Sequence, residues 1–132
     1  MKKNIKKMLC GLLSAAILAG TAVTGYAETV YYTITANTDT LSMKAMKNSV
    51  YYENRAYVTA TYFSGRGSFQ CMSVCYNQRN IVTEDMYVAG TGGYTESRAS
   101  GEYHPQAPGG VYYFMSASSN TTGLNMQGRY TP

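Results

Sequence analysis

Apolar residues fall on every second position in most segments beyond the first 28 residues, and almost none of these segments has the 3.6-residue period of an amphipathic helix. Because side chains along a β-strand point alternately to opposite faces, the alternation predicts strands with one buried face. Thr29–Ala36 shows it clearly, with one face composed of Val30, Tyr32, Ile34 and Ala36. Asn54–Phe63 shows it again, with one face composed of Ala56, Val58, Ala60 and Tyr62.

Glycine-rich signals separate the predicted strands. Ser64–Ser68 (SGRGS) and Ala89–Gly93 (AGTGG) are expected to turn or break the chain, because glycine adopts positive φ freely. Gly101–Gly110 holds two prolines and is expected to be a surface loop. The regular alternation of short strands and turn signals predicts one domain over residues 28–132. We expect an antiparallel β-sandwich of about six to eight short strands, with a small β-barrel as the alternative. For Leu41–Lys47 the pattern is ambiguous, since it fits either a strand or one helical turn.

Residues 1–27 have the three parts of a secretory signal peptide. Four lysines precede an apolar run from Met8 to Val23, and the run is followed by Gly25-Tyr26-Ala27, with small residues where signal peptidase reads. The run is short for a membrane span, rich in Ala and Gly, and lacks charges on its far side, so cleavage after Ala27 is expected rather than a retained anchor. The cleaved protein is expected to be secreted, with no membrane span left.

The positive net charge of the chain comes from the lysines of this predicted signal peptide. The sequence holds 11 Lys and Arg against 7 Asp and Glu, and four of the lysines lie within the first seven residues. Without those four the charges balance. A neutral remainder without a basic run gives no reason to expect binding to nucleic acid or to anionic lipid.

Two of the three cysteines, Cys71 and Cys75, lie in a predicted strand. In one straight strand, Cα atoms four residues apart are separated by about 13 Å, whereas a disulfide needs about 7 Å or less. Three alternatives stay open: free thiols in the core, a disulfide across a bend in the segment, or bonds to another chain. The oligomeric state is left open as well.

The sequence holds no recognisable catalytic or metal-binding motif. His104 is the single histidine; a triad built on it, or a pair with Cys71 or Cys75, has no supporting motif such as G-x-S-x-G. The acidic residues are scattered, so they predict no facing carboxylate pair of the kind that a glycosidase needs. C-x₃-C with one histidine lacks the ligand spacing of a metal site. We therefore expect no enzyme activity, no metal and no cofactor.

The abundance of tyrosine is the feature of the composition that most suggests a binding surface, since the sequence has 14 Tyr, 3 Phe and no Trp. The pattern VYYxxxA occurs three times, and in each copy one tyrosine of the pair must face outward. Tyr31, Tyr51 and Tyr112 are therefore candidate binding residues, together with Tyr103 and His104 in the expected loop. The same tyrosines could instead form cross-strand pairs that stabilise the sheet.

The function expected from these patterns is a non-catalytic, extracellular or surface-associated binding module. Its partner would be a cell-wall polymer, another glycan or a protein surface. A secreted, bacteriocin-like antagonist of other bacteria is the alternative, and a small secreted enzyme ranks third.

Overall fold

The computed structural model describes residues 27–48 and 53–132, and these residues form seven strands and no helix. All pairings between the strands are antiparallel, within one sheet. The strands are β1 (Val30–Thr35), β2 (Ala45–Met46), β3 (Arg55–Cys75), β4 (Val82–Thr83), β5 (Met86–His104), β6 (Tyr112–Ser118) and β7 (Asn125–Thr131). The prediction of an all-β antiparallel chain is confirmed, and within these residues no helix is long and apolar enough to cross a bilayer.

The two glycine-rich stretches expected to turn or break the chain do neither. β3 runs through Ser64–Ser68 for 21 residues and β5 runs through Ala89–Gly93 for 19 residues. The stretches lie opposite each other, since Gly67 pairs with Gly90, and the register shifts beside them. The prediction was wrong because glycine also permits a bulge or bend within a continuing ladder. The strands that carry the bend are accordingly long, not short.

The bend gives the two halves of β3 different neighbours. The first half pairs with β7 and with the second half of β5, and the second half pairs with β6 and with the start of β5. β4 then pairs with the end of β3 and with the end of β5. β1 extends the sheet beyond β7, and β2 extends it beyond β6. One continuous sheet therefore curls around a shared interior.

The core lies on the inner face of this curled sheet. Its largest buried side chains come from both halves: Ile34, Val58, Phe63, Phe69, Met86, Val88, Tyr103, Tyr113, Met115, Met126 and Tyr130. Tyr32, Ile34 and Ala36 are buried as the alternation predicted. Of the second predicted face, Ala56, Val58 and Ala60 are buried but Tyr62 is not, because a bulge after Ala60 exchanges the faces and turns Phe63 inward. The strand pairings show one antiparallel sheet and do not test whether it forms two packed layers, so the β-sandwich remains a prediction.

The segment Leu41–Lys47 is extended. It bridges β6 at Leu41 and Ser116 and continues into β2, so the helical alternative does not apply. Cys71 and Cys75 are buried free thiols on the inner face of β3. Burial raises the pKa of the Cys71 thiol to about 12, which keeps the sulfur protonated and unreactive.

A buried polar cluster joins four strands at the centre of the core. Ser73 Oγ lies 2.5 Å from the hydroxyls of both Tyr103 and Tyr130. The Tyr103 ring meets the Tyr113 ring edge-on at 5.0 Å. Burial raises the pKa values of Tyr103 and Tyr130, so both remain neutral hydroxyls. Within the described residues, no buried side-chain nitrogen or oxygen lacks a hydrogen-bond partner, as a stable polar core requires.

Lys47 is the charged side chain next to this cluster. It is only 3% exposed, and its Nζ lies 5.0 Å from the centroid of the Tyr103 ring. The same ammonium group donates a hydrogen bond to the carbonyl of Arg55 at 3.2 Å. Burial lowers the pKa of Lys47 to about 8, with Glu53 opposing the shift.

A substitution at Gly128 tests the close packing of β7 against Thr59 and the Tyr32 ring. A Cβ atom there would lie 2.0 Å from the Thr59 carbonyl oxygen and 2.6 Å from the Tyr32 hydroxyl. Because backbone and a buried ring must both shift, we expect Gly128→Ala to lower the free energy of unfolding by about 1–3 kcal/mol, measured by urea denaturation.

Gly65→Ala is the matched control, since its Cβ would find its nearest atom 4.0 Å away. We expect a change within about 0.5 kcal/mol for this variant. Equal effects of the two substitutions would contradict the close approach of Tyr32 to β7.

The lowered pKa of Lys47 can be tested through the pH dependence of the free energy of unfolding. The unfolded chain holds the Lys47 proton up to the ordinary pKa of 10.5, whereas the folded chain releases it near pH 8. The free energy of unfolding of the wild type, relative to Lys47→Met, should therefore rise between about pH 8 and pH 10, by on the order of 1–3 kcal/mol. Urea denaturation across this range measures the difference, and the exposed-lysine variant Lys44→Met serves as control. A difference that is flat with pH would show that Lys47 keeps an ordinary pKa.

Candidate functional site

The four predicted binding residues that the structure describes do not form one surface. Tyr31 is 79% exposed on β1, and Tyr112 is partly exposed on β6. Tyr51 lies outside the described residues. Tyr103 is fully buried, because β5 continues through it and its position alternates onto the inner face, so it has no surface available for a ligand. His104 is the exposed last residue of the same strand.

His104 contacts one carboxylate. Its Nε2 lies 3.5 Å from Glu84 Oε1, and both side chains are more than half exposed. Such a surface pair contributes little to stability. Glu84 lies in the connection between β4 and β5, so the contact joins this connection to the end of β5.

A larger surface forms around Tyr31, on the outer face of β1, β7, β3 and β5. We call it the tyrosine face and define it by Tyr31, Tyr57, Tyr62 and Tyr94. Tyr62 pairs with Tyr94 across the ladder, and their rings meet edge-on with centroids 5.5 Å apart. Tyr94 is 92% exposed. The face therefore presents aromatic rings at both of its lateral edges, on β1 and on β5.

Charged groups from β7 and β5 meet across β3 within the tyrosine face. Arg129 of β7 pairs in register with Tyr31, and its guanidinium lies 2.6 Å from Glu96 Oε1 of β5. Arg98 lies over the Tyr57 ring, with its Cζ 5.3 Å from the ring centroid. The arrangement alternates rings with planar, hydrogen-bonding charged groups.

Tyr57 is oriented from a second side as well. Its hydroxyl donates a hydrogen bond to Glu53 Oε1, and this bond is the main cause of a raised pKa for Tyr57. A ring held between Arg98 and Glu53 keeps its orientation before any ligand arrives.

Potential metal ligands and surface clefts give weaker evidence of a binding site than the tyrosine face does. In the described part of the chain, no three His, Cys, Asp or Glu side chains come together as potential metal ligands. An open cleft of about 380 Å³ lies at the bend between β3 and β5, lined by Arg66, Gly67, Ser68, Ala89, Gly90 and Thr91. With one charged side chain and mostly small neighbours, it has few groups that could orient a ligand.

Sequence reasoning identified Tyr31 but missed the other three residues of the tyrosine face. Tyr57 alternates with the buried Ala56 and Val58, so the period-two pattern could have placed it outside. Tyr94 lies in a polar strand segment, where its exposure was also readable. Tyr62 could not have been found, because the bulge that turns it outward has no signal in the sequence.

No protein-family model matches this chain, and no curated protein sequence matches it. Several solved structures are similar to it. The ligand-free structure of BiXyn10A CBM1 aligns over 80% of this chain and 71% of its own length, with 8% identity and a TM-score of 0.42. The CBM22-1–GH10 modules of the Clostridium thermocellum endo-1,4-beta-D-xylanase 10B, complexed with xylohexaose, align over 80% of this chain and 25% of their own, with 12% identity and a TM-score of 0.37.

A third similar structure is the tripod (BppUct-A-L) from the baseplate of bacteriophage Tuc2009. It aligns over 79% of this chain and 63% of its own length, with 9% identity and a TM-score of 0.36. At such identities and TM-scores, similarity transfers neither ligand nor activity. The solved structures that this chain resembles thus include carbohydrate-binding modules, and its own function must be argued from its own side chains.

Proposed function

We propose that this chain is an extracellular, non-catalytic binding module, a small β-sandwich that holds an extended glycan, such as a cell-wall polysaccharide, across the tyrosine face. The observation that carries the proposal is the exposure of Tyr31 and Tyr94 on either side of the Arg129–Glu96 ion pair. Exposed aromatic side chains grouped on one face are typical of a surface that meets a partner.

The chemistry of the face matches a sugar chain. A sugar ring has C–H faces that pack against aromatic rings, and a rim of hydroxyl groups that both donate and accept hydrogen bonds. Tyrosine supplies the ring contact at a small cost in conformational entropy. Glu96 accepts hydrogen bonds, while Arg98 and Arg129 donate them.

The dimensions of the face suit a polymer. β1 and β5 flank β7 and β3 in the sheet, so the row from Tyr31 to Arg98 crosses three strand spacings, or about 14 Å. A single sugar would leave most of this row uncovered, whereas several linked sugars would cover it.

Binding to insoluble glycans tests the proposal. Purified protein would be titrated against peptidoglycan, cellulose, chitin and xylan, and the bound fraction measured after sedimentation. We expect saturable binding to at least one of them. Tyr31→Ala and Tyr94→Ala should each weaken that binding by about fivefold to tenfold, because an aromatic contact contributes about 1 kcal/mol.

Tyr87→Ala is the matched control. Tyr87 is 64% exposed on β5, but it pairs with Gln70 on the other side of the bend, away from the tyrosine face. Its loss should leave binding unchanged. The proposal fails if no glycan binds saturably, or if Tyr87→Ala weakens binding as much as the other two substitutions.

A further inference from the structure

A second cluster lies on the outer face of the other half of the sheet, with four exposed side chains around the buried ring of Phe114. We call it the cation cluster and define it by Lys44, Tyr76, Arg79, Tyr112 and Phe114. Lys44 Nζ lies 4.8 Å from the ring centroids of both Tyr76 and Tyr112. Arg79 Cζ lies 4.6 Å from the Phe114 centroid and 5.5 Å from that of Tyr76. All four distances are within the range of cation–π attraction.

Strand register explains why these residues converge. Cys75 pairs with Tyr113, and both are buried. Their neighbours Tyr76 and Tyr112 must therefore point to the outer face, next to each other, and the backbone N–H of Tyr76 donates to the Tyr112 carbonyl at 2.8 Å. The five residues come from three separate segments of the sequence, so no run of basic residues indicated the cluster.

Among the described residues, no acidic side chain pairs with either of the two positive charges. In the described ranges, carboxylates contact His104 and Arg129, through Glu84 and Glu96 respectively, and none contacts Lys44 or Arg79. All seven Asp and Glu of the sequence lie within those ranges. The cluster is thus a local positive site within residues 28–132, where the basic and acidic side chains balance in total, and such a site attracts anions.

The aromatic contacts also organise the cations in advance. A free lysine or arginine side chain loses rotamer freedom when it binds, and this loss weakens affinity. Here the rings hold both cations in place without neutralising them. The partly exposed rings of Tyr76 and Tyr112 leave apolar surface directly beside the charges.

We propose that the cation cluster is a second binding site, independent of the tyrosine face, for the carboxylate groups of an acidic polysaccharide. Lys44 and Arg79 both lie within 5.5 Å of the Tyr76 ring centroid, so one short stretch of polymer reaches both. The carboxylates meet the cations, and the C–H faces of the sugar rings pack on Tyr76 and Tyr112. A phosphate chain supplies charge but has no ring to occupy the apolar surface.

Binding of polygalacturonate to the purified protein tests the proposal, measured by isothermal titration calorimetry. Fully methyl-esterified polygalacturonate is the matched control ligand, since it keeps the sugar rings and removes the charges. Inorganic polyphosphate supplies charge without rings. We expect polygalacturonate to bind, the ester to bind at least about tenfold more weakly, and polyphosphate to bind more weakly than polygalacturonate. Raising the salt from about 0.05 M to about 0.5 M should weaken the polygalacturonate complex.

Protein variants assign the site. Lys44→Gln and Arg79→Gln should each weaken polygalacturonate binding by roughly fivefold to tenfold. Arg66→Gln removes the same charge from an exposed arginine at the bend and should leave binding unchanged. Tyr94→Ala should also leave it unchanged, which separates this site from the tyrosine face.

The remaining outcomes overturn the proposal. Equal binding of polygalacturonate and its ester would show that charge is not recognised. Tighter binding of polyphosphate would identify a site for phosphate polymers. Equal loss in Lys44→Gln and Arg66→Gln would show attraction to net charge alone. Because none of these outcomes involves Tyr31 or Tyr94, the proposal can fail without affecting the proposed glycan site.

Discussion

The pairing of β3 with β5 is the constraint on which the rest of the structure depends. The two strands remain paired on both sides of a bend made of glycine-rich segments that face each other, and Gly90 lies so close to the Phe63 ring that a Cβ would come within 2.2 Å of it. The bend lets one strand supply both β7 and β6 with a pairing edge. The interior, the tyrosine face and the cation cluster all follow from where those neighbours then lie.

Tyrosine has two distinct roles in this framework. Tyr103 and Tyr130 bring hydroxyls into the core, where Ser73 gives both a partner. Tyr31 and Tyr94 present their rings to solvent. Strand alternation decides between the roles, because a shift of one residue moves a side chain to the other face. A chain without tryptophan thus uses one residue type both to fill its interior and to build its surface.

The sequence predicted what depends on local pattern. The all-β class and the buried face of β1 followed from alternation, and both were confirmed. The bend could not be predicted, since Ser64–Ser68 carries the same glycine signal whether a chain reverses or bulges. Tyr103 was misplaced because Gly101–Gly110 looked like a loop from end to end, while β5 extends to His104. The cation cluster depends on register between distant strands, which no local pattern contains.

The two buried thiols have a consequence for how the protein can be made. Cys71 and Cys75 fill apolar positions on β3 as free side chains, and burial holds the pKa of Cys71 at about 12. The fold therefore requires no covalent link between them. We expect a fold whose described residues hold no disulfide to form without a disulfide-forming enzyme, so a reducing cytosol and an oxidising exterior should yield the same domain.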